Sequence, residues 1–150
     1  MQTTTLGRTG LEVSQLGAGL VQIGDLSLNE TDQASRILGS ALDAGINFLD
    51  TAECYNNSEE LIGKTVSHRR SEFILATKVG HISGNYLGNP WTATTVRDSI
   101  NRSLVRLNTD YVDIIQIHAY DITAPPPDEV IEEVLKAKTA GKTRFIGYSG

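Results

Sequence analysis

Short apolar runs alternate with longer segments of helical periodicity along the 150 residues of the chain. The apolar runs predict five strands, at residues 16–23, 46–50, 73–77, 111–117 and 144–148. Because these runs are apolar almost throughout, we expect strands that are buried on both faces of a parallel sheet. Helices between successive strands indicate right-handed crossover connections, and the predicted fold class is therefore α/β.

Helical periodicity defines the first two segments between these strands. Asn29 is expected to be the N-cap of the first helix, and Gly45 the left-handed residue that follows its end. The inward face of this helix is predicted to hold Ala34, Ile37, Leu38, Ala41 and Leu42. A second, shorter helix is predicted over residues 58–64.

The later helices have clear signals at their ends. Thr92 is expected to cap a helix whose inward face holds Val96, Ile100, Leu104 and Leu107. Three prolines at 125–127, followed by Asp128, introduce a last helix that ends at Gly141. Its inward face is predicted to hold Val130, Ile131, Val134 and Leu135.

The N-terminal residues, the proline turn and the length of the chain indicate the domain organisation. Residues 4–6 and 12–14 flank the sequence Gly7-Arg8-Thr9-Gly10, which predicts an N-terminal β-hairpin. Periodic structure continues on both sides of the proline turn, so residues 1–150 are expected to form a single domain. A complete (β/α)8 barrel takes roughly 250 residues. We therefore expect a partial domain of about five strands, whose open sheet edges could pair with a second chain.

Charge and composition exclude several function classes. A net charge of −5, with no basic cluster longer than Arg69-Arg70, argues against a nucleic-acid partner. Neither a bilayer-spanning apolar stretch nor a secretory signal is visible, so no membrane association is expected. Cys54 is the single cysteine and cannot close an internal disulfide, which favours a cytoplasmic location. No cluster of His, Cys, Asp and Glu has metal-ligand spacing, so no metal site is predicted.

Polar side chains stand at the ends of four successive predicted strands. These are Asp50, Lys78, His118 and Ser149, with Tyr55 in the loop just beyond Asp50. Taken singly, an aspartate at a strand end is most often a helix cap, and a lone lysine is usually solvated. Functional side chains of parallel α/β folds gather at the C-terminal ends of the strands. The joint placement therefore predicts one site.

These residue types suit the activation of a carbonyl group. A tyrosine has a reference pKa of about 10, and a neighbouring lysine ammonium favours its phenolate form. Asp50 could hold Lys78 in place and keep it charged. His118 could donate a hydrogen bond to a carbonyl oxygen and stabilise the negative charge that develops there. We therefore expect a ketone or aldehyde as the substrate.

The sequence around these residues resembles the aldo-keto reductase family in several motifs that occur in the family's order. Residues 45–52 (Gly-Ile-Asn-Phe-Leu-Asp-Thr-Ala), together with Tyr55 and Ser58-Glu59, are similar to its aspartate and tyrosine motif. Ala76-Thr77-Lys78 resembles its lysine motif, and residues 110–118 resemble its histidine motif. Residues 99–107 are similar to the helix before that strand, and residues 146–149 to the fifth strand.

The resemblance implies the N-terminal half of a (β/α)8 barrel that reduces aldehydes or ketones with NADPH. Tyr55 would be the general acid, Lys78 the residue that favours loss of its proton, Asp50 the partner of the lysine, and His118 the group that orients the substrate. Gly19, Asp50 and Ser149 match family positions near the nicotinamide. Gly150 departs from the asparagine that is common after that serine.

The resemblance also implies limits on this chain. The adenosine and phosphates of the cofactor are held mainly by later loops in this family, so the isolated chain is expected to be weakly active or inactive. One alternative is a non-catalytic scaffold that binds a partner, as family members that bind channels do. Another is a truncated product with no function of its own.

Some candidate residues have plainer interpretations. Gly17-Ala18-Gly19 could open a dinucleotide-binding motif, but the third glycine should fall at position 22, which is Gln22. Cys54 could be a reactive thiol, although a space-filling role is favoured. Aromatic residues after the third strand and near His118 could line a substrate pocket or pack their loop; they are His81, Tyr86, Trp91 and Tyr120. His68 is expected to be solvated.

Overall fold

The computed structural model describes residues 1–118, 123 and 125–150. It opens with an antiparallel hairpin of β1 (Thr3–Thr5) and β2 (Glu12–Ser14), which confirms the predicted hairpin. Asn47 joins the hairpin to the parallel sheet, because its side-chain oxygen accepts from the Ser14 amide at 2.6 Å. The side-chain nitrogen of Asn47 donates to the Glu12 carbonyl at 3.0 Å.

Five parallel strands follow, and they pair in the order in which they occur in the chain. They are β3 (Ala18–Gly19), β4 (Phe48–Asp50), β5 (Ile74–Val79), β6 (Val112–His118) and β7 (Thr143–Ser149). This arrangement confirms the predicted parallel α/β sheet. Within the described residues, β3 pairs only with β4, and β7 pairs only with β6.

Four α-helices of the described residues connect and cover the strands. They are α1 (Thr31–Asp43), α2 (Ser58–Thr65), α3 (Ala93–Arg106) and α4 (Asp128–Thr139). Short 3-10 helices lie at Gln22–Asp25 and Ser67–Glu72. Thr92 caps α3 as predicted, since its side chain accepts from the Thr95 amide at 3.3 Å. Gly45 and Gly141 have the predicted left-handed φ angles of 84° and 75°.

The first strand is shorter than the sequence suggested. Only Ala18–Gly19 pairs with β4, and Ile23 lies in the 3-10 helix instead of the strand. The chain turns here because Gly24 packs against the loop after β4. A Cβ atom at Gly24 would lie 2.2 Å from the Tyr55 carbonyl oxygen, so glycine allows the two backbones to meet.

The start of α1 also differs from the prediction. Glu30, not Asn29, occupies the N-cap position, with no side-chain capping bond to the helix. The Glu30 carboxylate instead accepts from the Ser27 amide at 2.7 Å, in the turn before the helix. The helix therefore begins at Thr31, one residue later than an Asn29 N-cap predicts.

Three residues predicted to face inward are exposed. Ile37 is 46% exposed on α1, and Ile131 and Leu135 are 36% and 51% exposed on α4. The face of α4 toward the sheet is centred on Val130, Val134 and Ala137, which form one stripe at a spacing of three to four residues. Ile131 and Leu135 each follow a member of that stripe by one position, which turns them away from the sheet.

The main core lies between the sheet and the helices. Its fully buried members come from both, and the largest include Leu38, Leu49, Leu61, Leu75 and Ile115. Helix α2 approaches the end of α3 closely at Gly63, where an added Cβ atom would lie 2.0 Å from the Arg106 carbonyl oxygen. No helix of the described residues is both long and apolar enough to cross a bilayer.

Candidate active site

Successive strands bring the predicted polar residues to one edge of the sheet, which we call the carboxyl rim (Gly19, Asp50, Lys78, His118 and Ser149). Asp50, His118 and Ser149 are the last residues of their strands, and Lys78 is the last but one of β5. Gly19 stands beside Asp50 in the strand register, and His118 beside Ser149. The sequence had suggested that Lys78 follows its strand, but the structure places it within β5.

Lys78 is buried at this rim with a full set of partners. Its ammonium group donates to the Asp50 carboxylate at 2.7 Å, to the Thr51 carbonyl at 3.0 Å and to the Tyr55 hydroxyl at 3.3 Å. An ammonium group has three donors, so these three acceptors satisfy it. Its side chain is only 4% exposed. The buried ammonium group thus lies between the Asp50 carboxylate and the Tyr55 hydroxyl.

The loop that carries Tyr55 is held by backbone contacts on both sides. The Tyr55 amide donates to the Ala52 carbonyl at 3.0 Å, and the Tyr55 carbonyl accepts from the Ser58 amide at 2.9 Å. Gly24 lies against the same carbonyl. Asn56, the next residue, has a left-handed φ of 42°, a conformation that asparagine tolerates. The phenol is therefore placed over Lys78 by a fixed turn.

His118 faces the tyrosine across the site. Its ring centroid lies 5.9 Å from that of Tyr55, in an edge-on arrangement. The pKa of His118 is lowered to about 4, mainly by burial and in smaller part by the neighbouring His81 and Lys78. The imidazole is therefore neutral at pH 7, with one nitrogen that donates and one that accepts.

The loop after β5 packs two aromatic rings around His118. The rings of His81 and Trp91 are 4.8 Å apart, and His81 lies 4.8 Å from His118. The Trp91 indole donates to the His118 carbonyl at 3.3 Å. Gly80, with a φ of 118°, makes room for this indole, because a Cβ atom there would lie 2.6 Å from it.

The other aromatic candidates are placed differently. The Tyr86 hydroxyl donates to Asp98 at 2.8 Å, and the Arg102 guanidinium lies 4.2 Å from the centre of the Tyr86 ring. Tyr86 thus packs its loop against α3, the plainer of its two interpretations. His68 is exposed in the 3-10 helix after α2, as predicted. Tyr120 lies outside the described residues.

Sequence reasoning missed Gln116 altogether. Its side-chain amide donates to the second carboxylate oxygen of Asp50 at 3.1 Å. Asp50 is therefore held by Lys78 on one oxygen and by Gln116 on the other. The available signal was a polar residue in the otherwise apolar run Ile114-Ile115-Gln116-Ile117.

Cys54, for which the sequence favoured a space-filling role, contacts a residue of the candidate site. Its sulfur atom is 3.5 Å from Nδ1 of His118. Burial raises the pKa of the Cys54 thiol, so the group is protonated at neutral pH. The sequence did not indicate this contact, because Cys54 lies in the loop after β4 and His118, 64 positions later, ends β6.

A buried carboxylate behind the tyrosine loop is the other feature that the sequence did not reveal. Glu53 is 2% exposed, and its carboxylate accepts from Nε and Nη2 of Arg102, at 2.9 and 2.6 Å. Ser83 and Ser99 donate to the same carboxylate at 2.7 and 3.1 Å. These bonds connect the loops after β4 and β5 to α3.

Glu59 lies beside this cluster and is almost completely buried. It accepts from the Thr77 hydroxyl at 2.6 Å, and Arg106 lies 3.6 Å away. Burial raises the pKa of Glu59. Thr77 is the neighbour of Lys78 in β5, so the buried network reaches the strand that carries the lysine. Among the described residues, no group of three or more His, Cys, Asp and Glu side chains could hold a metal ion.

Comparison with known proteins gives a consistent result. A family model described as the aldo/keto reductase family matches residues 15–150. L-galactose dehydrogenase of Arabidopsis thaliana is 38% identical over 160 residues, which cover 100% of this chain and 49% of that protein. A probable voltage-gated potassium channel subunit beta of Oryza sativa subsp. japonica is 37% identical over 147 residues, covering 91% of this chain and 42% of the relative.

A solved structure is similar over the same extent. The holo form of the aldo-keto reductase AKR11C1 from Bacillus halodurans superimposes with a TM-score of 0.86 at 37% identity. The match covers 99% of this chain and 50% of that one. The chain therefore spans about half the length of the relatives it matches.

Proposed function

The chain belongs to the aldo/keto reductase family, and from this premise we propose that it carries the catalytic groups of an NADPH-dependent oxidoreductase that reduces aldehydes or ketones to alcohols. The observation that carries the proposal is the position of the Lys78 ammonium, which contacts both the Asp50 carboxylate and the Tyr55 hydroxyl. This arrangement prepares a phenol to release a proton.

In the proposed reaction Tyr55 is the general acid. Its hydroxyl gives a proton to the carbonyl oxygen of the substrate while the carbonyl carbon is reduced. Lys78, 3.3 Å from that hydroxyl, stabilises the phenolate that remains. Asp50 acts through Lys78, since it fixes the ammonium and balances its charge in a buried setting.

His118 would orient the substrate. Because burial lowers the pKa of His118 to about 4, the ring is neutral at pH 7 and does not compete with Tyr55 as a proton source. A neutral imidazole with its N–H turned to the carbonyl oxygen stabilises the negative charge that develops on that oxygen. Tyr55 and His118 would thus contact the same oxygen from two sides.

The carboxyl rim suits a nicotinamide ring. A Cβ atom at Gly19 would have nothing within 4 Å, so the rim is open there. Asp50 lies beside Gly19, and Ser149 ends the strand next to His118. We propose Gly19, Asp50 and Ser149 as residues that hold this ring. When bound, the reduced nicotinamide supplies the hydride.

A partner-binding scaffold is the second candidate, and the similarity to a channel beta subunit is the observation that supports it. A scaffold has no need of a buried lysine shared between a carboxylate and a phenol. The enzyme is therefore the favoured proposal for this chain.

The proposal is tested by incubating the 150-residue chain with NADPH and an aromatic aldehyde. The protein is used in excess over the cofactor, so that even one turnover is measured. We expect one molecule of alcohol for each NADPH oxidised. Alcohol formed equally fast by the wild-type chain and by Tyr55→Phe, above a protein-free control, would contradict the proposal that these residues are catalytic.

A further inference from the structure

Cys54 contacts the His118 ring at its Nδ1 atom. Its sulfur atom lies 3.5 Å from Nδ1, and its side chain is partly buried between the tyrosine loop and the end of β6. Cys54 immediately precedes Tyr55, so the turn that places the phenol also places the thiol. Neither the fold nor the Lys78 ion pair requires a sulfur atom at this position.

The tautomer of His118 decides what the ring can do. A neutral imidazole carries its hydrogen on either Nδ1 or Nε2, and a hydrogen bond at one nitrogen selects the form that the other presents. A protonated thiol can donate to an unprotonated Nδ1. The hydrogen is then on Nε2, where it can be donated to a substrate oxygen.

We propose that Cys54 is a positioning residue for the reaction: its thiol donates to Nδ1 of His118 and holds the ring in the Nε2–H tautomer. The role rests on the proposed function, since it concerns the group that binds the carbonyl oxygen. Cys54 does not touch the substrate and acts through His118.

The surroundings of the ring agree with this assignment. His81 faces the ring edge-on at 4.8 Å, and Tyr55 does so at 5.9 Å. Trp91 donates to the backbone carbonyl of His118 and so fixes the main chain, not the ring nitrogens. Lys78 and Asp50 act on the ring through their charges. Within the described residues, the thiol is the hydrogen-bonding group recorded at Nδ1.

The reverse arrangement would have a different consequence. If Nδ1 carried the hydrogen and donated it to sulfur, Nε2 would be an acceptor. Two acceptors, Nε2 and a carbonyl oxygen, cannot form a hydrogen bond with each other. The direction of the Cys54–His118 contact therefore determines whether His118 can polarise a carbonyl group.

The first test is a two-bond 1H–15N correlation spectrum of the histidine rings at pH 7. The signals of His118 are assigned from their loss in His118→Asn. We expect the Nε2–H pattern in the wild-type chain. An Nδ1–H pattern in the wild type would overturn the proposal without any further variant.

Three substitutions then separate the donor from the volume of the side chain. Cys54→Val keeps a side chain of similar size without a donor, and Cys54→Ala removes both. We expect a mixture of tautomers in these two variants and the wild-type Nε2–H form in Cys54→Ser, whose hydroxyl can donate. Retention of a single Nε2–H form in folded Cys54→Val and Cys54→Ala would overturn the proposal.

Kinetics provide a second readout. Loss of one weak hydrogen bond should lower kcat about fivefold in Cys54→Val, with a smaller change in KM and partial rescue in Cys54→Ser. An equal loss in Cys54→Ser and Cys54→Val would contradict the proposal. The tautomer measurement requires no turnover, so failure of this inference and failure of the proposed reductase activity can be told apart.

Discussion

Lys78 and Asp50 are 28 positions apart in the sequence, yet Nζ of the lysine lies 2.7 Å from the aspartate carboxylate. The parallel register explains the contact, because Asp50 pairs with Ala76 and Lys78 is the next residue of β5 on the same face. Asp50 ends its strand, which leaves its side chain free to turn toward the lysine. The central ion pair of the site is thus a consequence of strand register.

Removing this partner should destabilise the chain. Asp50→Asn leaves the buried Lys78 ammonium without a counter-charge, and we expect the free energy of unfolding to fall by about 2 kcal/mol. Chemical denaturation measures the change. Asp43→Asn is the matched control, because Asp43 pairs with Arg69 at 2.8 Å but is 71% exposed, so little change is expected. Equal effects at the two positions would contradict the account of Lys78.

Alanine substitution should have opposite effects at two helical glycines, because only Gly63 lies in the close contact between α2 and α3. In Gly63→Ala the new methyl group would meet the Arg106 carbonyl at 2.0 Å, and moving either backbone separates the helices. We expect a loss of about 3 kcal/mol. Gly39→Ala lies in α1 with nothing within 4 Å, so it should stabilise the chain by about 1 kcal/mol. Thermal unfolding distinguishes the two, and a stable Gly63→Ala chain would show that the helices pack differently.

The buried carboxylate of Glu53 depends on its partners. Arg102→Gln removes the two-nitrogen contact and leaves Glu53 to Ser83, Ser99 and a more distant Arg106. We expect a loss of about 3 kcal/mol in the free energy of unfolding. Arg97→Gln, on the same helix, breaks an exposed pair with a distance of 3.8 Å and should change little. If Arg102→Gln were as mild as this control, Glu53 would not depend on its ion pair.

The lowered pKa of His118 predicts a specific pH dependence. Its folded value of about 4 lies below the ordinary value of 6.5, so protonation favours the unfolded chain. The stability linked to this group is complete above pH 6.5 and is lost as the pH falls toward 4. Allowing for screening at this partly exposed ring, the loss is about 1–2 kcal/mol. The difference in stability between the wild type and His118→Asn should change by that amount between pH 7 and pH 4.5. A constant difference would show that the pKa of His118 is the same in the folded and the unfolded chain.

The sequence predicted the parallel strands, the hairpin and the placement of Asp50, Tyr55, Lys78 and His118 at one edge of the sheet, because each depends on a local pattern or a strand end. It did not predict Gln116 as a partner of Asp50, since this contact reaches from β6 across β5 to the end of β4 and depends on the register of both strand pairs. Short apolar runs do not determine register to a single residue.

The same limit explains the missed cluster around Glu53. Arg102 reaches it from the middle of α3, across 49 positions of sequence, and helical periodicity indicates only which face such a residue occupies. The shortened first strand has a different cause. Hydrophobicity continues through Leu20 and Ile23, but the strand ends at Gly19 and the chain enters the 3-10 helix in which Gly24 meets the Tyr55 backbone, and apolar pattern alone carries no information about such a contact.

The measurement that tests the central claim most directly is the rate of aldehyde-dependent NADPH oxidation by Tyr55→Phe, relative to the wild type. Tyr111→Phe serves as the control, because Tyr111 directly precedes β6, at the end of that strand away from the carboxyl rim. With Tyr55 as the general acid, its loss should reduce kcat by at least about 100-fold, and Tyr111→Phe should stay close to the wild-type rate. A Tyr55→Phe chain that reduces the aldehyde as fast as the wild type would contradict the proposed mechanism.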